Sequence, residues 1–135
     1  MSVRIASCSC GQLRAEVRGE PIRVSVCHCH ACQRRTGSVF GAQASFSREC
    51  VAVEGDGTEF VRVGDEGGRF GFTFCPRCGS TVFYVEEGNE REIAIPVGAS
   101  ADSRFPPPTI SAYEERRHSW VSVPDDAEHW RRDPA

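Results

Sequence analysis

The stretch Cys75-Pro76-Arg77-Cys78-Gly79 decides how this chain folds, because it joins two cysteines to a residue that allows a tight turn. Two thiolates separated by two residues can each reach one zinc ion at roughly 2.3 Å when the backbone turns back over them. Glycine after the second cysteine favours that turn. The stretch Cys8-Ser9-Cys10-Gly11 repeats the arrangement with a shorter spacing. Together they supply four thiolates, so the sequence predicts a closed, structural zinc site that staples the N-terminal strand to the middle of the chain.

A third group of cysteines, in Cys27-His28-Cys29-His30-Ala31-Cys32, offers three thiolate ligands rather than four. Three protein ligands with an open position are typical of a catalytic zinc ion, and four are typical of a structural one. The sequence favours the open site here. The alternative is a second closed site in which Cys50, His28 or His30 is the fourth ligand. Two zinc ions are therefore predicted, one structural and one catalytic.

Disulfide bonds and iron–sulfur clusters are the other uses to which these cysteines can be put. Clustered thiols in a reducing cytosol are more often metal ligands than disulfide partners, and the typical four-cysteine runs of iron–sulfur proteins are absent. The N-terminus has no apolar core of signal-peptide length, so a cytoplasmic protein is expected. Cys50 stands alone, and we expect it to be a small buried residue rather than a ligand.

The composition excludes several classes of function. A chain of 135 residues fits one domain, and residues 1–135 are expected to form a single zinc-binding domain. The net charge of -3 argues against a nucleic-acid partner, and no apolar run approaches the roughly 20 residues of a membrane span. All 16 basic residues are arginines, which excludes catalysis through a Schiff-base lysine.

The apolar residues alternate mostly with a period of two, which indicates β-strands rather than helices. Glycine and proline punctuate the short candidate strands, so the pattern predicts a mostly β domain with little helix. Hairpin turns are expected at Asp56-Gly57 and Gly88-Asn89. A helical turn is expected near Ala31–Arg35, and a short C-terminal helix, with Asp125 at its N-cap, around Asp125–Arg132. Strands are expected at Val3–Ser7, around residues 13–17, and at Ile22–Val26, Val39–Phe46, Val51–Glu54, Glu59–Val63, Arg69–Phe74, Thr81–Val85 and Glu92–Val97.

The three cysteine groups, in this order, resemble the glutathione-dependent formaldehyde-activating enzyme (GFA) family, whose domain is also called the centromere protein V type. The resemblance extends roughly from Ile5 to Trp120 and includes the loop Gln33-Arg34-Arg35-Thr36-Gly37 and the closing Arg117-His118-Ser119-Trp120. It implies a zinc-stabilised β-tent of antiparallel sheets. This fold agrees with the strand pattern.

The resemblance also implies the role of each site residue. A structural zinc ion would be held by Cys8, Cys10, Cys75 and Cys78. A catalytic zinc ion would be held by Cys27, Cys29 and Cys32. The residues beside the substrate would be Gln33, Arg34, Arg35, Thr36, Gly37 and Phe40. Either Arg34 or Arg35 would clamp a carboxylate of the thiol substrate.

The activity implied by the resemblance joins formaldehyde to glutathione as S-(hydroxymethyl)glutathione, a reaction classed with the carbon–sulfur lyases. We therefore expect a zinc-dependent enzyme that acts on a small aldehyde–thiol adduct, with no nucleic-acid or membrane partner. Two alternatives stay open. One is a non-enzymatic, zinc-stabilised binding or chaperone-like module, and the other is a redox or zinc sensor that works through the three-cysteine group.

Overall fold

A computed structural model of the chain describes residues 2–134. Within that range it contains eleven strands and one α-helix, α1 (His30–Thr36). Short 3-10 turns occupy Arg48–Cys50, Val97–Ser100 and Glu114–Arg116. The strands are β1 (Val3–Ser7), β2 (Arg14–Arg18), β3 (Arg23–Cys27), β4 (Gly41–Ser47), β5 (Val51–Glu54), β6 (Thr58–Val63), β7 (Arg69–Phe74), β8 (Thr81–Glu86), β9 (Glu92–Pro96), β10 (Ile110–Ala112) and β11 (Glu128–His129).

The strands form two sheets of unequal size. The small sheet has the order β1-β2-β5, and the large sheet has the order β11-β10-β3-β4-β9-β8-β7-β6. The mostly β fold with little helix is confirmed. Pairing is antiparallel except at one end of the large sheet, where β10 runs parallel to both β3 and β11. No helix among residues 2–134 is long and apolar enough to cross a membrane.

The hydrophobic core lies between the two sheets. Strand alternation places Ala15 and Val17 of the small sheet opposite Phe46, Ile93 and Ile95 of the large one, and all five are buried. Two cysteines belong to the same core: Cys8 is 4% exposed and Cys75 is fully buried. The core therefore includes one cysteine from each of the two stretches, residues 8–11 and 75–79, that are predicted to share a structural zinc ion.

The loop between β5 and β6 corrects one prediction. The Asp56-Gly57 turn was expected to close a hairpin, but β5 pairs with β2 and β6 pairs with β7. The chain instead leaves the small sheet after Glu54 and enters the large one at Thr58. The Gly88-Asn89 hairpin is confirmed, because it joins the antiparallel strands β8 and β9.

The C-terminal helix predicted around residues 125–132 is also wrong, because this segment contains β11 instead. The backbone N–H of Glu128 donates to the carbonyl of Thr109 at 2.8 Å, and that of Trp130 donates to the carbonyl of Ser111 at 2.8 Å. The open edge of β10 offers these carbonyls, and pairing with them satisfies backbone groups that a short isolated helix would leave exposed at both ends.

The crossing between the sheets depends on a glycine. Gly55 follows β5 with a φ of 99°, and a side chain there would place its Cβ 1.9 Å from the carbonyl oxygen of Gln12. Only a residue without a Cβ fits a backbone approach this close. Gly55 thus lets the chain pass directly over the loop that carries Cys8 and Cys10.

We expect Gly55→Ala to lower the free energy of unfolding by about 3 kcal/mol, because backbone strain and a steric clash act together. Gly88→Ala is the matched control: its φ is 92°, but nothing lies within 4 Å of the added Cβ. Strain alone should cost it about 1 kcal/mol. Urea unfolding of both variants measures the difference. Equal losses would show that the crossing tolerates a side chain.

Candidate metal centres

The first cysteine cluster joins the two sheets. Cys8 and Cys10 lie in the loop between β1 and β2, and Cys75 and Cys78 lie in the loop between β7 and β8. Their four sulfurs all lie within 4.8 Å of one another. We call these four residues the quartet. Two of its sulfurs belong to the small sheet and two to the large one, so a bound ion would connect the sheets.

Each half of the quartet folds as a tight turn. In the second half, the N–H of Gly79 donates to the carbonyl of Cys75 at 2.7 Å, and the N–H of Cys75 donates to the carbonyl of Ser80 at 2.9 Å. Gly79 has a φ of 82°, which glycine adopts without strain. In the first half, Gly11 has the same role with a φ of 87°. The glycines singled out in the sequence are thus the residues that turn the sulfurs toward one another.

The donor set of the quartet fits a tetrahedral ion. The Sγ atoms of Cys8 and Cys10 are 3.6 Å apart, and those of Cys10 and Cys75 are 3.7 Å apart. Zinc–sulfur bonds of roughly 2.3 Å at tetrahedral angles require a separation of about 3.8 Å. The N–H of Leu13 also points at the sulfur of Cys8, at 3.3 Å. Such N–H donors stabilise thiolates.

Gln12 is a contact of the quartet that sequence reasoning missed. Its Nε2 donates to the Sγ of Cys75 at 2.9 Å and to the carbonyl of Asp56 at 2.7 Å, while its Oε1 accepts from the N–H of Asp56 at 2.9 Å. One side chain therefore holds the crossing segment and a sulfur of the quartet together. The sequence contains a signal only in hindsight, since Gln12 directly follows the first cysteine turn.

The second cluster, which we call the trio, consists of Cys27, Cys29 and Cys32, whose sulfurs also lie within 4.8 Å of one another. Cys27 ends β3, and Cys29 is the N-cap of α1, where its sulfur accepts the N–H of Cys32 at 3.3 Å. The helix ends at Gly37, which has a φ of 74°. A strand end and one helical turn therefore place three sulfurs together within six residues.

The three thiols of the trio differ in acidity. The pKa of Cys29 falls to about 2, because the thiols of Cys27 and Cys32 donate hydrogen bonds to its sulfur and the N–H of Cys32 adds another. The hydrogen bonds to Cys29 and Cys32, together with burial, raise the pKa of Cys27. Negative charge is therefore concentrated on Cys29. An anionic sulfur beside two further thiols is a donor set suited to a soft or borderline cation such as zinc.

The trio opens onto a cleft of about 730 Å³, whereas none of the quartet lines that cleft. The cleft is also lined by Arg62 of β6, Tyr84 of β8 and Gln43 of β4. Burial raises the pKa of Tyr84 and keeps its hydroxyl protonated. Neither Arg62 nor Tyr84 was identified from the sequence, because each lies far along the chain from the cysteines and has no motif around it.

The residues expected beside the substrate occupy different positions. Arg34 is exposed and lines the cleft. Gln33 instead contacts the C-terminal part of the chain: its Nε2 donates to the carbonyls of His28 and Arg116, and its Oε1 lies 3.2 Å from Nε2 of His118.

The other four members of that group do not line the cleft. The guanidinium of Arg35 packs over the ring of Phe72. Thr36 donates to the carbonyl of Cys32 at 2.9 Å, next to the helix-ending Gly37. Phe40 packs against His28, with ring centroids 6.0 Å apart. The part that these residues play in substrate binding stays a prediction.

The candidates for a fourth ligand of the trio lie elsewhere. Within residues 2–134, the cluster of potential ligand atoms contains the three cysteines alone. His28 is fully buried, with its Nε2 3.1 Å from the hydroxyl of Ser111, and His30 is exposed. Cys50 is half-buried in a 3-10 turn and belongs to neither cluster. All eight cysteines are free thiols, so the chain forms no disulfide bonds.

The fold and the two clusters together define a class: a small, mostly β protein with two groups of cysteines that can hold metal ions. The model of the family described as "Glutathione-dependent formaldehyde-activating enzyme" matches residues 3–117. The chain belongs to this family, which confirms the resemblance drawn from its sequence.

A solved structure supports the fold independently. The crystal structure of a Rhodobacter sphaeroides protein is similar, with a TM-score of 0.55 and 20% sequence identity over 93% of this chain and 98% of that chain. At this level of identity the likeness shows the fold alone. The comparison with curated proteins finds no match.

The quartet generates a prediction about folding. We expect Cys78→Ser to lose one equivalent of bound metal and to unfold, because binding energy at a structural site is folding energy. Cys50→Ser is the matched control, since it removes a thiol outside both clusters. Metal analysis and circular dichroism measure the two effects. A folded Cys78→Ser protein with full metal content would contradict the structural role.

Gln12 generates a second prediction. Gln12→Leu keeps the size of the side chain but removes the donor to Cys75, and we expect the metal affinity of the quartet to fall about 10–100-fold. Competition with a chromophoric chelator measures this affinity, and the trio in the same protein is an internal control. An unchanged affinity at the quartet would reduce Gln12 to a loop contact.

Proposed function

We propose that this chain is a zinc-dependent enzyme of the carbon–sulfur lyase type that acts on a small aldehyde–thiol adduct. Its family name points to formaldehyde and glutathione, and the adduct of these two molecules is S-(hydroxymethyl)glutathione. We further propose that the chain forms a single zinc-binding domain, since its two sheets share one core. We place its activity in the cytoplasm, where clustered thiols stay reduced and can bind metal.

The observation that carries this proposal is the different exposure of the two cysteine clusters to the cleft. The quartet has four sulfurs and is partly buried in the core, which suits an ion whose positions are all filled by protein. The trio has three sulfurs and lines the cleft, which suits an ion with a position left for a small molecule. We assign the quartet to a structural zinc ion and the trio to a catalytic one.

The trio would supply the chemistry and the rest of the chain the geometry. Cys27, Cys29 and Cys32 would hold the zinc ion, and the chemistry it would supply there is to lower the pKa of a substrate thiol or to polarise an aldehyde oxygen. Cys27 and Cys29 belong to the junction of β3 and α1. Gln33 of α1 donates to the carbonyls of His28 and Arg116, which ties the helix that carries Cys32 to the C-terminal part of the chain.

The cleft is lined by four arginines and five carboxylates, so only an arginine that no carboxylate neutralises is suited to an anionic group of the substrate. Arg23 pairs with Glu92, and Arg116 pairs with Asp65 at 3.2 Å, so these two arginines are neutralised within the protein. Arg34 also lines the cleft, is exposed and forms no salt bridge among the described residues. A guanidinium presents several N–H donors in one plane and matches a carboxylate. We assign Arg34, which is exposed, to the outer of the two carboxylates of glutathione.

The test compares variants of the two clusters in the reaction itself. We expect the zinc-loaded protein to accelerate exchange between free glutathione and its formaldehyde adduct, which nuclear magnetic resonance with 13C-formaldehyde can follow. Cys29→Ser should lose this activity and about one equivalent of zinc while the fold survives. Cys50→Ser, which alters a thiol outside both clusters, should keep both.

Three results would redirect the proposal. Full activity of Cys29→Ser would discard the role of the trio. A wild-type protein that holds two zinc ions but accelerates no exchange of any aldehyde–thiol adduct would favour the non-enzymatic binding module. Release of the trio's metal by mild oxidant, with recovery on adding thiol, would favour the sensor.

A further inference from the structure

Two arginines from distant parts of the chain pack against one aromatic pair beside the trio. The rings of Phe72 and Tyr84 stack with centroids 4.5 Å apart and an interplanar angle of 30°. The Cζ atom of Arg62 lies 4.6 Å from the centroid of Phe72, and that of Arg35 lies 5.0 Å from the same centroid. Arg35 comes from α1 and Arg62 from β6. We call these four residues the arginine–aromatic cluster.

The cluster lies next to the sulfurs. Arg62 and Tyr84 line the cleft together with Cys27, Cys29 and Cys32. Arg35 is just behind this lining: a Cβ added at Gly41 would lie 3.2 Å from its Nη2 and 3.4 Å from the Cβ of Cys32. Both guanidinium groups therefore lie close to the trio.

Several nitrogens of these two arginines are buried without a hydrogen-bond partner. They are Nε and Nη1 of Arg62 and Nε of Arg35. Neither arginine forms a salt bridge with a carboxylate of residues 2–134. Buried polar groups in native proteins are nearly always hydrogen-bonded, and buried cations are nearly always paired. Carboxylates such as Glu86 also line the cleft, but none of the described ones lies within 4.0 Å of either guanidinium, so these donors are unpaired.

The environment of Arg62 separates it from the other arginines of the cleft. Arg23 and Arg116 already pair with carboxylates, and Arg34 is exposed, so water can solvate its charge. The charge of Arg62 is partly removed from water and held in place by the face of Phe72. An anion gains more from a fixed, desolvated guanidinium than from a mobile, hydrated one.

We propose that Arg62, supported by Arg35 and the aromatic pair, forms the subsite that binds the carboxylate of a thiol beside the trio. This inference rests on the proposed function and extends it, because it names the residue that selects an anionic thiol over a neutral one. The competing explanation is that the thiolates of the trio are themselves the counter-ion of Arg62. In that case a neutral thiol would bind as well as an anionic one.

The test measures thiol binding rather than turnover. The protein is loaded with cobalt in place of zinc, and the absorption of the cobalt–thiolate centre is titrated with 3-mercaptopropionate and with its neutral isostere, 3-mercaptopropionamide. We expect the wild-type protein to bind the carboxylate about tenfold more tightly than the amide, since a charged hydrogen bond is worth that factor. Arg62→Gln should bring this ratio close to one.

The matched control is Arg69→Gln, which makes the same chemical change on the same β6–β7 hairpin. Arg69 is exposed, pairs with Glu87 at 2.9 Å and does not line the cleft, so its ratio should equal that of the wild type. Arg62→Lys keeps the charge without the planar group, and we expect it to restore part of the preference. Cobalt content and circular dichroism establish that each variant is folded and loaded.

Each of the remaining outcomes overturns a different statement. Equal binding of the two thiols by the wild type would remove the carboxylate subsite and leave the proposed function intact. A preference that persists in Arg62→Gln would move the subsite to another arginine and overturn the assignment. Failure of the loaded wild type to bind any thiol would overturn the proposed function, and this inference with it.

Discussion

The structure depends on four sulfurs that must meet at the junction of two sheets. The quartet draws one pair from the β1–β2 loop of the small sheet and the other from the β7–β8 loop of the large sheet. Burial of Cys8 and Cys75 in the shared core commits the two loops to one position. Where the two loops meet, Gly55 passes close to the backbone of Gln12, and the side chain of Gln12 donates to the sulfur of Cys75. A small core gains from such a tie.

The large sheet then determines what surrounds the trio. The chain places β6 at the far end of this sheet, beside β7 and β8, while α1 follows β3 near its opposite end. The cleft nevertheless has residues from both regions on its walls. The chemistry proposed for the trio therefore depends on two regions that are distant in the strand order. The end of β3 and α1 carry the sulfurs, whereas β6 carries Arg62 and β8 carries Tyr84.

The two cysteine clusters show how ligand number and location act together. A quartet joined to the core and a trio on the wall of a cleft have similar sulfur spacing, since both fall within the same limit. Their chemical difference arises from what remains available at the site, namely solvent and side chains of the cleft for the trio alone. The number of sulfurs and their position relative to the cleft both support the different roles that we propose for the two clusters.

The sequence by itself determined most of the strand pattern, the cysteine turns, the trio and the family, because these are encoded in residues close together in the chain. Period-two alternation, a glycine after a cysteine pair and three cysteines within six residues are local signals. Only the tertiary structure decided that β5 and β6 belong to different sheets, that the C-terminal segment pairs as β11, and that Gln12 and Arg62 reach the sulfurs. These are contacts between distant residues, and they arise from packing and from backbone groups that seek partners, for which no local pattern exists.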